Sequence, residues 1–375
     1  MSADRSAASG GAPLDDLTVV DLSVARAGPT AVRYLADWGA HVVRVESNDP
    51  GMAMTGDHHS ADYLNLHRSK QMIQLDLRDD ADRERLFELV DRADVVVENF
   101  RAPVKYKLGI DYETLSVRNP RLVYGSISGY GQDGPYWKRG AVDQVIQGVG
   151  GLMSVTGEPG AGPLRAGIAV SDLAAGHQLA IGILIALHER ARTGRGQWVK
   201  VSLLEAMLSF LDFQAARWTI DGQVPASEGN HHPTATPMGT YTAGDGFFNI
   251  AAPNDRLWRQ LCAVLEEPTL ADDERFSTAQ RRYQHRNELN ALLDERLLRR
   301  PRAEWAERLD AVGVPCGPVL TMDEVFADPQ VVHLDMLREV EHPTRGRVRV
   351  LRNSITMSES RPVTPTASPV PPAPE

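Results

Sequence analysis

An α/β fold with a large open Rossmann-like domain and a smaller α+β domain is predicted by three observations. Residues 17–46 run strand, glycine-containing turn, helix, glycine, strand, which is a βαβ unit. Two further apolar runs, Ala93–Glu98 and Leu122–Ile127, alternate with helical patterns. A change of composition over Gly222–Pro237 then separates this part from a hairpin followed by helices.

The elements follow in order. Residues 1–13 are small and polar and are expected to be disordered. Leu17–Leu22 (LTVVDL) reads as a buried strand, Thr30–Trp38 as a helix and His41–Glu46 as the next strand. The turn between them, ARAGPT, lacks G-x-G-x-x-G, so a dinucleotide site is not supported. Residues 48–70 read as loop, with Arg68 and Lys70 able to meet phosphate before a short strand over Met72–Leu77. Adjacent histidines at His58–His59, and again at His231–His232, do not form a ready chelate. Asp79–Val90 is a charged amphipathic helix. After the strand Ala93–Glu98, Asn99 and Phe100 stand at a carboxyl end, where open α/β sheets place ligands. Lys105 and Lys107 follow closely. Tyr112–Asn119 is a short helix, and Leu122–Ile127 a strand that leads into a glycine-rich loop at 129–134 and then Arg139.

Asp143–Val149 is helical, and Leu173–Arg190 carries the strongest helical pattern in the chain. Ser171 or Asp172 can cap this helix, whose dipole favours an ionised carboxylate at its head. Flanked by Ala174, Ala175 and Gly176, Asp172 is open to an electrophile. From position and composition alone, an ordinary capping aspartate is much the commoner reading of such an acid. Close packing or ligand clearance would justify Gly176 and Gly182. Trp198–Ser202 is a strand and Leu203–Thr219 one further helix. The smaller domain begins with a hairpin around Gly244–Gly246, then helices over Asp255–Leu265, Glu288–Leu298 and Arg302–Asp310, and a strand-like entry at Val314–Leu320. The expected boundaries are 14–224 for the large domain, 225–320 for the small one, 321–356 for a C-terminal segment returning to the large domain, and 357–375 for a Pro-rich tail, extended or disordered.

Composition narrows the function. Across 375 residues, 42% are apolar and the net charge is −10, which supports a real core and disfavours general nucleic-acid binding. Two cysteines, Cys262 and Cys316, carry no ligand spacing, so neither a disulfide framework nor a zinc site is supported. The N-terminus has no signal-peptide core, and the apolar run near Leu179–Leu187 reads as too short and interrupted for a bilayer. The default expectation is cytoplasmic, with no membrane, nucleic-acid or metal partner.

Nine segments together resemble the family III CoA-transferases, the CaiB/BaiF family, over roughly residues 14–356. They include VVDLSVARAGP (19–29), GAHVVRVE (39–46), ADVVVENFRAP (93–103), SISGYGQDGP (126–135), RAGIAVSDLAAG (165–176), ERARTGRGQWVKVSLLEA (189–206) and VPCGPVLTMDEVFADPQV (314–331). The resemblance implies an interlocked homodimer, coenzyme A as the carried group, and Asp172 as the catalytic nucleophile. No tightly bound cofactor is implied; acyl-CoA is the substrate and a small carboxylic acid the acceptor. CoA contacts carry over to Asn99, Phe100, Lys107 and Arg26, with Arg44, Lys70 and Arg139 as further phosphate partners. The implied reaction transfers CoA from an acyl-CoA to a free carboxylic acid through covalent aspartyl intermediates.

Two alternatives remain open. The family also contains 2-methylacyl-CoA racemases, which use a His–Asp pair; the histidine position falls on Val142, and His177 lies five residues beyond Asp172. A non-catalytic CoA-binding homologue is the other. Asp143 is either a second acid near the thioester or a helix cap.

Overall fold

The computed structural model describes residues 11–47 and 57–371. The expected disorder of residues 1–10 lies outside that range. Chain packing separates two compact units. The first holds the described residues up to Leu152, Arg165–Gln223 and the described residues from Leu334 on; the second holds Met153–Leu164 and Val224–His333. The second unit therefore runs past the expected boundary at 320 and takes in a segment from within the expected large domain.

The first unit is a mixed α/β fold on a six-stranded sheet. In chain order its elements are β1 (Thr18–Asp21), α1 (Ala27–Asp37), β2 (His41–Glu46), α2 (Ala61–His67), β3 (Gln71–Gln74), α3 (Asp80–Val90), β4 (Val95–Glu98), α4 (Ala102–Leu108), α5 (Tyr112–Arg118), β5 (Val123–Ser128), α6 (Asp143–Val149), α7 (Val170–Thr193), β6 (Trp198–Ser202), α8 (Leu203–Phe210) and α9 (Phe213–Thr219). The strand order is β3-β2-β1-β4-β5-β6, and every pairing is parallel. Helices cover both faces of such a sheet, so its central strands bury both sides and favour β-branched residues. Val19, Val20, Val95, Val96 and Val97 are all fully buried. The order reverses between β1 and β4, and the crevice at their carboxyl ends is where open α/β sheets take ligands.

Helix α7 is the longest element. By length and composition it could span a membrane, contrary to the sequence reading of a run too short to do so. Instead its inner face packs on the sheet and on α1. Leu179 and Ile183 are fully buried against Gly125 of β5, where an added Cβ would lie 3.3 and 3.2 Å from their methyl groups. Burying each such side chain contributes about 1.5–3 kcal/mol. Gly176 lets α1 approach closely: a Cβ there would lie 2.7 Å from the Ala27 carbonyl oxygen and 2.9 Å from Thr30 Cβ. Close packing, one of the two expected justifications, accounts for this glycine.

Two segments depart from the sequence reading. Residues read as loop contain α2, capped by Ser60, whose hydroxyl accepts from the Tyr63 N–H. The single helix expected over Leu203–Thr219 is two, broken at Asp212 with φ of 44°.

In the second unit β7 (Met238–Ala243), β8 (Gly246–Ala251) and β9, (Cys316–Pro318) in chain order after the helices, make a three-stranded antiparallel sheet. Helices α10 (Asp255–Val264), α11 (Ala279–Gln284), α12 (Arg286–Leu297) and α13 (Arg302–Asp310) pack beside it, with Phe248, Trp258, Leu289 and Trp305 in its core. Helices α14 (Met322–Ala327) and α15 (Pro329–His333) end the unit. The chain then returns to the first unit as a hairpin, β10 (Leu337–His342) and β11 (Gly346–Leu351). The Pro-rich segment is extended and pinned: Val363 N–H donates to the Asp37 carbonyl at 2.9 Å, and Ser69 N–H to the Thr366 carbonyl at 3.2 Å.

Candidate active site

The head of α7 holds Asp172. The helix begins at Val170 after Ala169, so Asp172 stands third in its first turn and does not cap it. The cap comes from another element. Asp143, in the first turn of α6, accepts from both Ser171 N–H and Ser171 Oγ at 2.9 Å. Gln147, one turn further along α6, donates to Asp143 at 2.7 Å and to the Ile168 carbonyl at 3.1 Å, and accepts from Ala166 N–H at 2.8 Å. Arg165 lies 3.7 Å from Asp143. A buried carboxylate thus satisfies a free helical N–H that the sequence assigned to a local cap.

With that role taken, Asp172 makes no hydrogen bond among the described residues. Burial pushes its carboxyl up to about 6, the Asp143 charge adds to the rise, and Arg26 opposes it. Asp172 is thus a partly buried carboxylate, ionised at neutral pH and unscreened by donors. An anion of raised basicity is a better nucleophile than an ordinary surface aspartate.

Arg26 lies on the loop from β1 to α1, and its guanidinium holds both oxygens of Asp62 at 2.8 Å. Asn99, at the end of β4, is half-buried and bonded to Val24 of that same loop. Phe100 packs at the edge of the core below, and its N–H donates to Glu98 at 2.8 Å. Lys107 is exposed on α4, and Arg139 is exposed with its guanidinium carbon 3.7 Å above the Tyr136 ring. Neither Lys107 nor Arg139 makes an ion pair among the described residues, which leaves both free to meet an anion.

Arg44 and Lys70 do not belong with them. Arg44 is 1% exposed, bonds Glu46 at 2.5 Å and the Ser23 carbonyl at 2.8 Å, and lies 3.6 Å from Asp21. Lys70 is buried with its Nζ 2.8 Å from Asp21. Burial draws the Lys70 ammonium down to about 8 despite that partner. Arg68 is likewise held by Asp37 at 3.0 and 2.7 Å. The expected phosphate contacts of Arg44 and Lys70 are corrected: these cations are framework, because parallel pairing of β1 with β2 sets Asp21 directly beside Arg44.

Lys105 and Lys107 part company on one helix. Lys105 is fully buried, donating to Glu98 at 3.0 Å, Ser126 at 3.3 Å and Gln132 at 2.8 Å. It thereby ties the glycine-rich loop to β4 and β5. Within that loop the Gly131 N–H donates to Ser128 Oγ at 3.0 Å. Sequence reasoning missed Gln147, although its i+4 spacing from Asp143 on a short helix was a usable signal. It also passed over Arg101, whose Nη2 lies against Gly140, 2.5 Å from where a Cβ would stand.

The racemase alternative needs a histidine at Asp172. Val142 occupies the expected position. His177 Nε2 bonds Tyr34 Oη at 2.8 Å, so its ring faces α1. Among the described residues, the charges acting on Asp172 are Asp143 and Arg26, with no histidine among them.

Known proteins resemble this chain over most of its length. The CoA-transferase family III model matches residues 14–373. Succinate–glutarate CoA-transferase of Agrobacterium fabrum is 35% identical over 360 residues, 93% of this chain and 90% of the relative. Acetyl-CoA:oxalate CoA-transferase of Acetobacter aceti is 38% identical over 332 residues, 87% of this chain and 85% of the relative. The crystal structure of a CaiB/BaiF family protein from Brucella suis superimposes with a TM-score of 0.86 at 39% identity, covering 96% of this chain and 97% of that one.

Proposed function

The chain belongs to CoA-transferase family III and transfers CoA to a carboxylic acid, and on that premise we propose that Asp172 carries the group through covalent intermediates. The observation behind this reading is the unpartnered Asp172 carboxylate at the head of α7, raised to about 6 by burial and Asp143. An Asp172 oxygen attacks the thioester carbonyl of the donor; the C–S bond breaks and CoA thiolate leaves, forming an aspartyl–acyl anhydride. The thiolate attacks the aspartyl carbonyl, releasing the donor carboxylate and leaving an aspartyl–CoA thioester. The acceptor carboxylate displaces the thiolate again, and thiolate attack on the acceptor carbonyl yields the new acyl-CoA and free Asp172. Each oxyanion requires a donor, which neighbouring backbone N–H groups or Arg26 supply. Lys107 and Arg139 meet the CoA phosphates at the crevice between β1 and β4, beside Phe100.

Peptide mass spectrometry tests this reading. The enzyme is mixed with succinyl-CoA or acetyl-CoA, with glutarate, oxalate and mesaconate as acceptors, beside D172A. A CoA-mass adduct on the Asp172 peptide, absent from D172A, is expected. Turnover by D172A, or turnover by the wild type with no trapped adduct, refutes it.

The working form is a homodimer, with the interlocked chains that the family resemblance implies. Its support in this chain is an apolar outer face: Ile181, Leu184 and Ile185 of α7 are 58, 44 and 63% exposed. Val145 and Val149 of α6 are exposed as well. Faces of this kind are covered in stable proteins. Sedimentation should give a dimer for the wild type and a smaller species for I185E. A cytoplasmic setting accords with two free cysteines.

A further inference from the structure

We propose that Asn99 is a positioning residue, whose carboxamide spans the crevice between β1 and β4 and fixes the loop that carries Arg26 toward Asp172. The loop leaves β1 at Asp21 and enters α1 at Ala27. Asn99 Nδ2 donates to the Val24 carbonyl and Asn99 Oδ1 accepts from the Val24 N–H, both at 2.8 Å. A carboxamide alone presents donor and acceptor side by side to one residue's backbone in this way. It acts as a short piece of strand closing the gap where the sheet order reverses.

The loop needs such a hold. Ala25, directly after the bonded residue, has φ of 58°, a left-handed conformation that is unfavourable for a non-glycine residue. Strain of this kind persists where surrounding contacts impose it. At its far end the loop is held by packing: the Ala27 carbonyl and Thr30 lie against Gly176, one turn beyond Asp172. Ala25 and Arg26 are therefore suspended between two fixed points, Asn99 on one side and α7 on the other. Asp62 completes the hold on the Arg26 guanidinium. Releasing Asn99 frees the loop at one end and lets Arg26 move relative to Asp172. This differs from the direct CoA contact expected of Asn99, which makes its ordered bonds to the protein itself.

The inference deepens the proposed role of Asp172 and rests on it for its effect on turnover. The test uses the full-length enzyme with N99A, R26M and N99A/R26M. CoA affinity is measured by calorimetry, kcat at saturating donor, and the titration of Asp172 by the pH dependence of carbodiimide labelling without substrate. N99A should lower kcat by roughly 10- to 100-fold, the scale of a displacement of about 1 Å, with CoA affinity nearly unchanged. Asp172 should titrate at higher pH in N99A, as in R26M, because Arg26 opposes the rise caused by burial and Asp143. The double variant should be no worse than R26M alone. A loss of CoA affinity with kcat retained overturns the proposal in favour of a ligand contact. Additive losses in the double variant, or a lowered Tm with the Asp172 titration unmoved, overturn it as well. Should N99A fail to fold, N99D keeps the acceptor, loses the donor to Val24, and is read in the same way. The labelling titration follows loop position whether or not Asp172 is the nucleophile, so failure of the proposed chemistry is separable from failure of this inference.

Discussion

Replacing Asp172 with asparagine should make the protein more stable while abolishing its chemistry. In the folded chain this carboxyl titrates near 6, against an ordinary value of 3.8. Below about pH 4 it is protonated in both folded and unfolded states and contributes no difference. Between those values the folded state retains a proton that the unfolded state has released, so stability declines as pH rises. Above pH 6 both forms are ionised and the folded state bears the full penalty, about 3 kcal/mol. Asparagine keeps the shape and removes the charge. Thermal unfolding at equal protein concentration, without substrate, should show D172N melting roughly 2–4 °C above the wild type at pH 7.5. The gap should close by pH 4. A lower Tm for D172N at pH 7.5 would show that Asp172 caps the helix, as its sequence position suggests. A gain that persists unchanged at pH 4 would show that charge is not its cause.

Four more substitutions have expected outcomes. D143N removes the charge that adds to the rise at Asp172, so the acid limb of a pH–rate profile should move to lower pH, yet stay above 3.8 because burial is the larger cause. K70M leaves Asp21 buried without its ammonium partner and should cost about 3–5 kcal/mol in unfolding measurements, whereas K107A should leave Tm in place and weaken CoA binding in calorimetry. G176A forces a Cβ to 2.7 Å from the Ala27 carbonyl; it should destabilise by about 1–3 kcal/mol, despite the better helix propensity of alanine, and lower kcat by displacing α1.

Much of the architecture is legible in the chain because its signals are short-range. The apolar runs at Leu17–Leu22, His41–Glu46 and Ala93–Glu98 become β1, β2 and β4 within a few residues. The turn glycines and helical periods between them fix parallel crossovers. Asp172 is visible as an acid at the head of a long apolar helix, and the order of the quoted segments points to the family. Tertiary structure decided what each charge does. Arg44 and Lys70 look like free cations until the pairing of β1 and β2 places Asp21 between them. Asp172 looks like a cap until Asp143, from α6, takes the Ser171 N–H. Asn99 shows no partner in the sequence until the sheet brings Val24 beside it across 75 residues of chain. Propensity and periodicity act over one or two turns of backbone, so they can be read in sequence. The partner of a buried charge, and hence its protonation, depends on which elements become neighbours, and only the folded chain determines that.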